Sequence, residues 1–210
     1  MTVGRIIVSD ACVAEGAAWL AAREPRFAKA LAQTGPLPLR RREGGFARLL
    51  SAIVSQQVSV AAAEGIWKRL EAAEATSIDG VLSRDAEALR ALGLSRQKAS
   101  YAHALAAAEI DYDALTALPN AEVIATLTEV KGIGVWTAEI YAMFSLGRAD
   151  VFAPGDLALQ ESARLLFDLE ERPKEKALRT LAEEWSPWRA VAARLLWAYY
   201  HVAKDREGIR

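Results

Sequence analysis

Apolar residues along this 210-residue chain recur at intervals of three and four, the period of a helix with one buried face. The spacing predicts helices over 13–31, 46–54, 58–73, 85–92, 97–108, 121–127, 135–146, 157–167, 174–184 and 187–204. The one credible strand is the short β-branched run 5–8. Proline supports the helical reading: Pro187 follows Ser186 at a first-turn position, and Pro173 stands ahead of Lys174. Gly35, Pro36 and Pro38 mark a turn between the first helix and the rest. No repeat of solenoid period breaks the pattern. The expectation is an all-α, irregular helical globule.

Composition narrows the function classes. Alanine is the most frequent residue, with leucine, glutamate and arginine well represented. A chain that is 52% hydrophobic and 25% charged is neither disordered nor collagen-like, nor built of many membrane spans. The longest apolar run, 191–203, is broken by Arg194. Asp10 and Glu15 fall where a signal peptide would have its apolar core, so a soluble cytoplasmic protein with no membrane partner is expected. The single cysteine, Cys12, excludes an internal disulfide, a Cys-rich zinc site and a four-cysteine iron–sulfur cluster. Its Ala and Val neighbours predict a buried, inert thiol. His103 and His201 are expected to be structural or exposed. A net charge of −1 argues against a blanket electrostatic DNA binder but allows a local basic face. Arg40, Arg41, Arg42 and Arg48 lie within nine residues, opposed only by Glu43. They read by default as a solvated run, with a DNA face as the alternative.

The most specific segment is 127–138. Gly132 and Gly134 flank Ile133 between the end of one helix and the start of the next. Such glycines allow positive φ and close approach to a partner, while Ile133 anchors the turn. N–H groups at the start of the following helix then face outward beside its positive dipole end, a site for one phosphate. An ordinary αα-hairpin with a glycine cap is the competing reading.

Gly132–Ile133–Gly134 followed by Trp136, Thr137, Ala138 and Glu139 resembles the helix-hairpin-helix of the HhH-GPD DNA glycosylases. So does the loop about twenty residues on, from Val151 through Pro154, Gly155 and Asp156 to Leu159. The block from Ala52 through Ser55, Gln56, Gln57, Val58 and Ser59 to Ala62 is similar to the 3-methyladenine DNA glycosylase II (AlkA-like) family. So are Gly93–Lys98 and the block Trp185, Ser186, Pro187, Trp188 leading to Trp197. The resemblance spans about Phe46 to Tyr200. It implies a two-lobed helical fold with the DNA and base cleft between the lobes, one taking about 1–56 and 147–210, the other about 57–146 with the hairpin at 121–146. It also implies the compact form of the family, without an N-terminal mixed α/β domain.

The resemblance also implies roles for particular residues. Asp156 takes the position of the catalytic aspartate: a carboxylate near C1′ stabilises an oxocarbenium-like sugar and can accept a proton from attacking water. Taken alone, it reads as a helix N-cap, and the family register is what reverses that reading. Trp136 stands where bifunctional members have a Schiff-base lysine, while Lys131 precedes the first glycine, so hydrolysis without lyase activity is expected. By register Trp136 and Trp197 line the base pocket, offering indole faces to a cationic alkylpurine. Ile140 and Leu157 take pocket-edge positions where some relatives have tyrosine, and Trp188 is expected in the core. Gln57 is by register the wedge that fills the gap of a flipped nucleotide, with Gln56 supporting the loop or pocket; capping by Ser55 and Ser59 is the alternative.

DNA contacts are expected from Gln56, Gln57, Ser59, Arg96, Lys98 and the hairpin residues Lys131, Gly132, Ile133, Gly134, Val135, Trp136 and Thr137. Lys98 is open between a phosphate contact and a structural salt bridge. The carbonyls of Thr128, Val130 and Ile133 match those that hold a sodium, potassium or magnesium ion in relatives. No cofactor is otherwise expected. The whole describes a monomeric, bacterial-type cytoplasmic enzyme of base excision repair, acting on double-stranded DNA that contains alkylated purines. A non-catalytic helix-hairpin-helix module and a glycosylase for another lesion are the alternatives.

Overall fold

The computed structural model describes residues 3–207, and among them the fold is all-α. The outermost residues of the expected first lobe, 1–2 and 208–210, lie outside that range. The chain forms two compact units, Met1–Arg42 with Ala142–Arg210, and Glu43–Tyr141.

The first unit contains α1 (Asp10–Arg23), α2 (Pro25–Thr34), α10 (Leu157–Phe167), α11 (Glu175–Leu181) and α12 (Arg189–Glu207). The sequence spacing ran α1 and α2 together as 13–31. Pro25 divides them, because it lacks an N–H and holds the preceding residue extended. Glu24 adopts φ −128° and ψ 108°, ends α1 through its N–H on the Leu20 carbonyl, and caps α2 by accepting from Arg26 N–H. Phe27, Phe152, Phe167 and Trp185 pack as edge-on and stacked rings with centroids 5.3–5.7 Å apart. Trp188 is buried, as expected.

Pro187 does not open α12. Ser186 is extended and the Trp188 N–H bonds the Trp185 carbonyl, so the proline sits in a turn and the helix begins at Arg189. The strand-like stretch 5–8 reduces to one antiparallel bridge, Ile6 with Arg148. Cys12 is half-buried rather than buried: it lies in the first turn of α1, where Ser9 Oγ donates to its Sγ and pulls the thiol pKa below its ordinary value.

The second unit contains α3 (Phe46–Ser55), α4 (Val60–Ala72), α5 (Ile78–Leu82), α6 (Ala86–Ala91), α7 (Arg96–Ala106), α8 (Asn120–Thr128) and the larger part of α9 (Val135–Phe144). α7 is central and packs on α3, α5 and α6. The division at 42/43 and 141/142 differs from the expected 56/57 and 146/147. α3 goes with the second unit because it packs on α4 and α7, and Lys98 of α7 donates to the Val54 carbonyl of α3 at 2.7 Å. α5 is too short to show a helical period in sequence; Ser77 caps it by accepting from Gly80 N–H. His103 is structural, its Nε2 lying 2.8 Å from the Arg84 carbonyl, and His201 is exposed.

Close approach of α1 to α12 requires Gly16. A Cβ there would lie 2.6 Å from Trp188 Cε3 and 2.7 Å from Val191 Cγ2, both on buried side chains. Gly16→Ala is expected to lower stability by about 1–3 kcal/mol through overpacking, despite its better helix propensity. Thermal melting checks this, and a raised midpoint would show that the helices have room.

Candidate active site

The hairpin is built locally. α8 ends as Thr128 Oγ1 turns back to the Ile124 carbonyl at 2.8 Å, and the Val130 N–H bonds the Leu127 carbonyl. Ile133 is buried, and its N–H reaches the Val130 carbonyl at 3.0 Å, closing the turn. The two glycines differ. Gly132 needs its freedom: φ is 99°, and a Cβ would collide with the ring of Tyr101. Gly134 does not adopt positive φ, and a Cβ on it would meet nothing within 4 Å. The fold itself thus makes no steric demand for glycine at 134, which is exposed.

The first rung of α9 is Ala138 N–H on the Gly134 carbonyl at 3.0 Å. The N–H groups of Val135, Trp136 and Thr137 therefore precede the ladder, beside the positive end of the helix. Val135 and Trp136 are 46% and 45% exposed, Thr137 is buried, and Lys131 is exposed.

The 56–59 loop is tied to this turn. Gln56 Nε2 donates to the Gly132 carbonyl at 2.9 Å. Gln57 is exposed with φ 55°, in the left-handed region that costs a side-chain-bearing residue about 1–3 kcal/mol and persists only when the surroundings hold it. Ser59 caps α4 by accepting from Ala62 N–H, so the capping reading holds for Ser59. Ser55 instead donates to the Ser51 carbonyl within α3.

Lys98 is buried, and its ammonium is engaged by the carbonyl of Val54 rather than by a carboxylate. Burial lowers its pKa below the ordinary lysine value. Together Gln56, Gln57, Ser95, Lys98, Tyr101 and the hairpin turn line a polar hollow of about 490 Å³. Arg96 is exposed and is not among its lining residues.

Trp136 and Ile140 line a second, largely apolar pocket of about 210 Å³ in the same unit, with Leu49, Ala52, Thr137 and Tyr141. Tyr141 supports it: its hydroxyl accepts from the Gly45 N–H at 2.8 Å, and burial raises its pKa.

Asp156 belongs to the first unit. Its N–H bonds the Ala153 carbonyl, and buried Gln160 donates to the Pro154 carbonyl, so the loop before α10 is fixed at both ends. Oδ1 accepts from Ala158 N–H at 2.9 Å and Leu159 N–H at 3.1 Å, and lies 3.3 Å from the indole Nε1 of Trp197. The carboxylate is both the N-cap of α10 and the partner of a tryptophan from α12. Trp197 packs on Phe144 at 5.8 Å, and Leu157 is 62% exposed.

Two contributors escaped the sequence reading. Tyr101, one turn beyond Lys98 on α7, packs under Gly132; helical spacing from Lys98 was the available signal. Arg194, read only as a break in an apolar run, is buried. Among the described residues no three His, Cys, Asp or Glu side chains gather as metal ligands.

Residues 50–187 match the sequence profile described as HhH-GPD superfamily base excision DNA repair protein. The chain belongs to the HhH-GPD superfamily. Within it, the chain is similar to DNA-3-methyladenine glycosylase 1 of Schizosaccharomyces pombe, 30% identical over 174 residues that cover 79% of this chain and 76% of that one. It is 27% identical to DNA-3-methyladenine glycosylase 2 of Escherichia coli, over 72% of this chain and 56% of the relative. Among solved HhH-GPD structures, the DNA-3-methyladenine glycosidase of Bacillus halodurans superposes with a TM-score of 0.80 at 32% identity, covering 89% of each chain.

Gln56→Ala removes the bond that joins the 56–59 loop to the turn. Amide exchange of residues 131–136 is expected to speed up several-fold, in line with about 0.5–1.5 kcal/mol for one hydrogen bond. Unchanged exchange would show that the turn holds itself.

Proposed function

We propose that this HhH-GPD protein excises alkylated purines from double-stranded DNA by hydrolysing the N-glycosidic bond, and leaves the strand intact. The observation that carries the reading is the Asp156 carboxylate, held by two helix N–H groups and by Trp197. The relatives named DNA-3-methyladenine glycosylase support the substrate class.

An N-alkylated purine carries positive charge, so it takes the bonding pair from C1′ and leaves neutral without a strong acid. The sugar left behind is cationic, and a fixed carboxylate stabilises it at the moment the charge develops. Water then bonds to C1′ and gives up a proton, which Asp156 can accept. Hydrolysis written this way needs no cofactor. Trp136, half-exposed at the start of α9, offers an indole face to a cationic base.

The hairpin N–H groups of 135–137 suit one phosphate, and Gln57 suits the gap that a flipped nucleotide leaves. The carbonyls of Thr128, Val130 and Ile133 would hold a hard cation beside that phosphate. Val130 already accepts one hydrogen bond from Ile133, and a carbonyl has a second lone pair. Such a cation would supply charge neutralisation at the phosphate.

The capping role of Asp156 favours one rival, a non-catalytic DNA-binding module. Asp156→Asn separates the two, because asparagine caps as well as aspartate but cannot carry the charge. The variant is expected to melt within about 1 kcal/mol of the parent and to release methylated purine from methylated duplex about 10²–10³-fold more slowly. Equal release, or none from the parent protein, would remove the assignment.

The position of Trp136 leads to a second expectation. Borohydride added during turnover should trap no protein–DNA adduct, and strands should stay whole until alkali is added. A trapped adduct would establish a lysine nucleophile instead.

A further inference from the structure

Arg40, Arg41 and Arg42 make a cationic segment of the first unit. Residues 37–42 lack regular secondary structure but are pinned to the core. The Arg194 guanidinium donates to the Leu39 carbonyl from Nη2 at 3.0 Å, and again from Nε at 3.3 Å. Arg42 N–H donates to the Phe144 carbonyl at 3.0 Å. Between these anchors Arg40 takes a left-handed φ of 52°, and the Arg41 guanidinium occupies the space a Cβ would fill on Gly147. Arg40, Arg41 and Arg42 are none of them buried in the core, so three guanidiniums stand on a backbone that cannot rearrange freely.

Charge is not balanced there. Arg194 is 1% exposed, yet among the described residues its hydrogen bonds run only to carbonyls, with the Phe144 ring 4.8 Å away. Burial, and then the positive charges of Arg40 and Arg41, push its pKa down to about 10. Among the described residues no carboxylate pairs with Arg40, Arg41 or Arg42. A solvated charge run would let its side chains spread. This one is concentrated over a buried cation, at a cost in stability that an external anion would offset.

The segment also lies a short path from the candidate catalyst. Asp156 meets Trp197, Trp197 packs on Phe144, and Phe144 lies under Arg194, which holds Leu39. Every step of that path is inside the first unit.

We propose that Arg40 and Arg41, set on this pinned segment, form a second phosphate-binding surface for the DNA backbone, separate in sequence from the hairpin. The inference rests on the reading of the chain as a DNA-acting enzyme. It makes the surface sequence-independent, since guanidiniums on phosphates position a duplex without reading its bases.

The test uses the full chain with Arg40→Ala and Arg41→Ala combined. Its partner is an undamaged, fluorescein-labelled duplex, titrated by anisotropy across a salt series. A control with Lys29→Ala and Lys176→Ala removes the same charge from exposed positions elsewhere in the unit. The arginine variant is expected to bind more weakly at low salt. Its slope of log K against log salt should be shallower by about 0.9 for each phosphate that is no longer neutralised, hence about 1–2 in all. Its melting temperature is expected to equal or exceed the parent's, because like charges beside Arg194 have gone. The control should keep the parent's slope. A parental slope in the arginine variant, or an equal change in the control, would overturn the proposal. A parent protein that binds no duplex would overturn the DNA-acting reading beneath it.

Discussion

An α-helix leaves N–H groups ahead of its first rung, and the way two helix starts meet that constraint organises this molecule. At α10 the chain closes the helix start with its own carboxylate, Asp156 Oδ1 on the N–H groups of Ala158 and Leu159. At α9 the ladder begins only with Ala138, and the residue before the helix is a glycine with open space where its side chain would be. The same physics explains why aspartate at 156 looks like a mere cap when read alone: capping is the means by which its carboxylate is positioned.

Buried cations provide the second organising device. Lys98 and Arg194 are each almost fully buried and each anchored on main-chain carbonyls, Lys98 on Val54 and Arg194 on Leu39 and Ala190. Desolvation lowers the pKa of both. Such groups are poor contributors to stability, since hydration lost on burial is only partly recovered. What they provide is loop geometry. Lys98 fixes the end of α3 from which the 56–59 loop departs, and Arg194 fixes the backbone that carries Arg40 and Arg41. Neither loop has regular structure to hold it, and each turns at a left-handed residue with a polar side chain, Gln57 in one and Arg40 in the other.

Local pattern carried the helices far, and its failures have identifiable causes. The range predicted for α10 coincides with the observed helix because a capping aspartate stands at its start and left-handed Asp168 ends it. The α1–α2 break was written in Pro25, but the apolar period continued through it and outweighed the punctuation. α5 was invisible because five residues cannot display a period of 3.6. Cys12 was misjudged from its apolar neighbours, since neighbours in sequence point to different faces of a helix.

Sequence alone determined the fold class, the hairpin and the candidate catalyst, because each is encoded within a few residues: apolar spacing, two glycines around an isoleucine, an aspartate at a helix start. Tertiary structure decided what those residues touch. Gln56 meets Gly132 across 76 positions, Lys98 meets Val54 across 44, Asp156 meets Trp197 across 41 and Arg194 meets Leu39 across 155. Partners so far apart are chosen by how helix faces pack, and local periodicity reports which face is buried but not what it is buried against. The two glycines of the hairpin show this at its smallest scale: they are equivalent in the sequence, and only the ring of Tyr101 under one and the open space beside the other tell them apart.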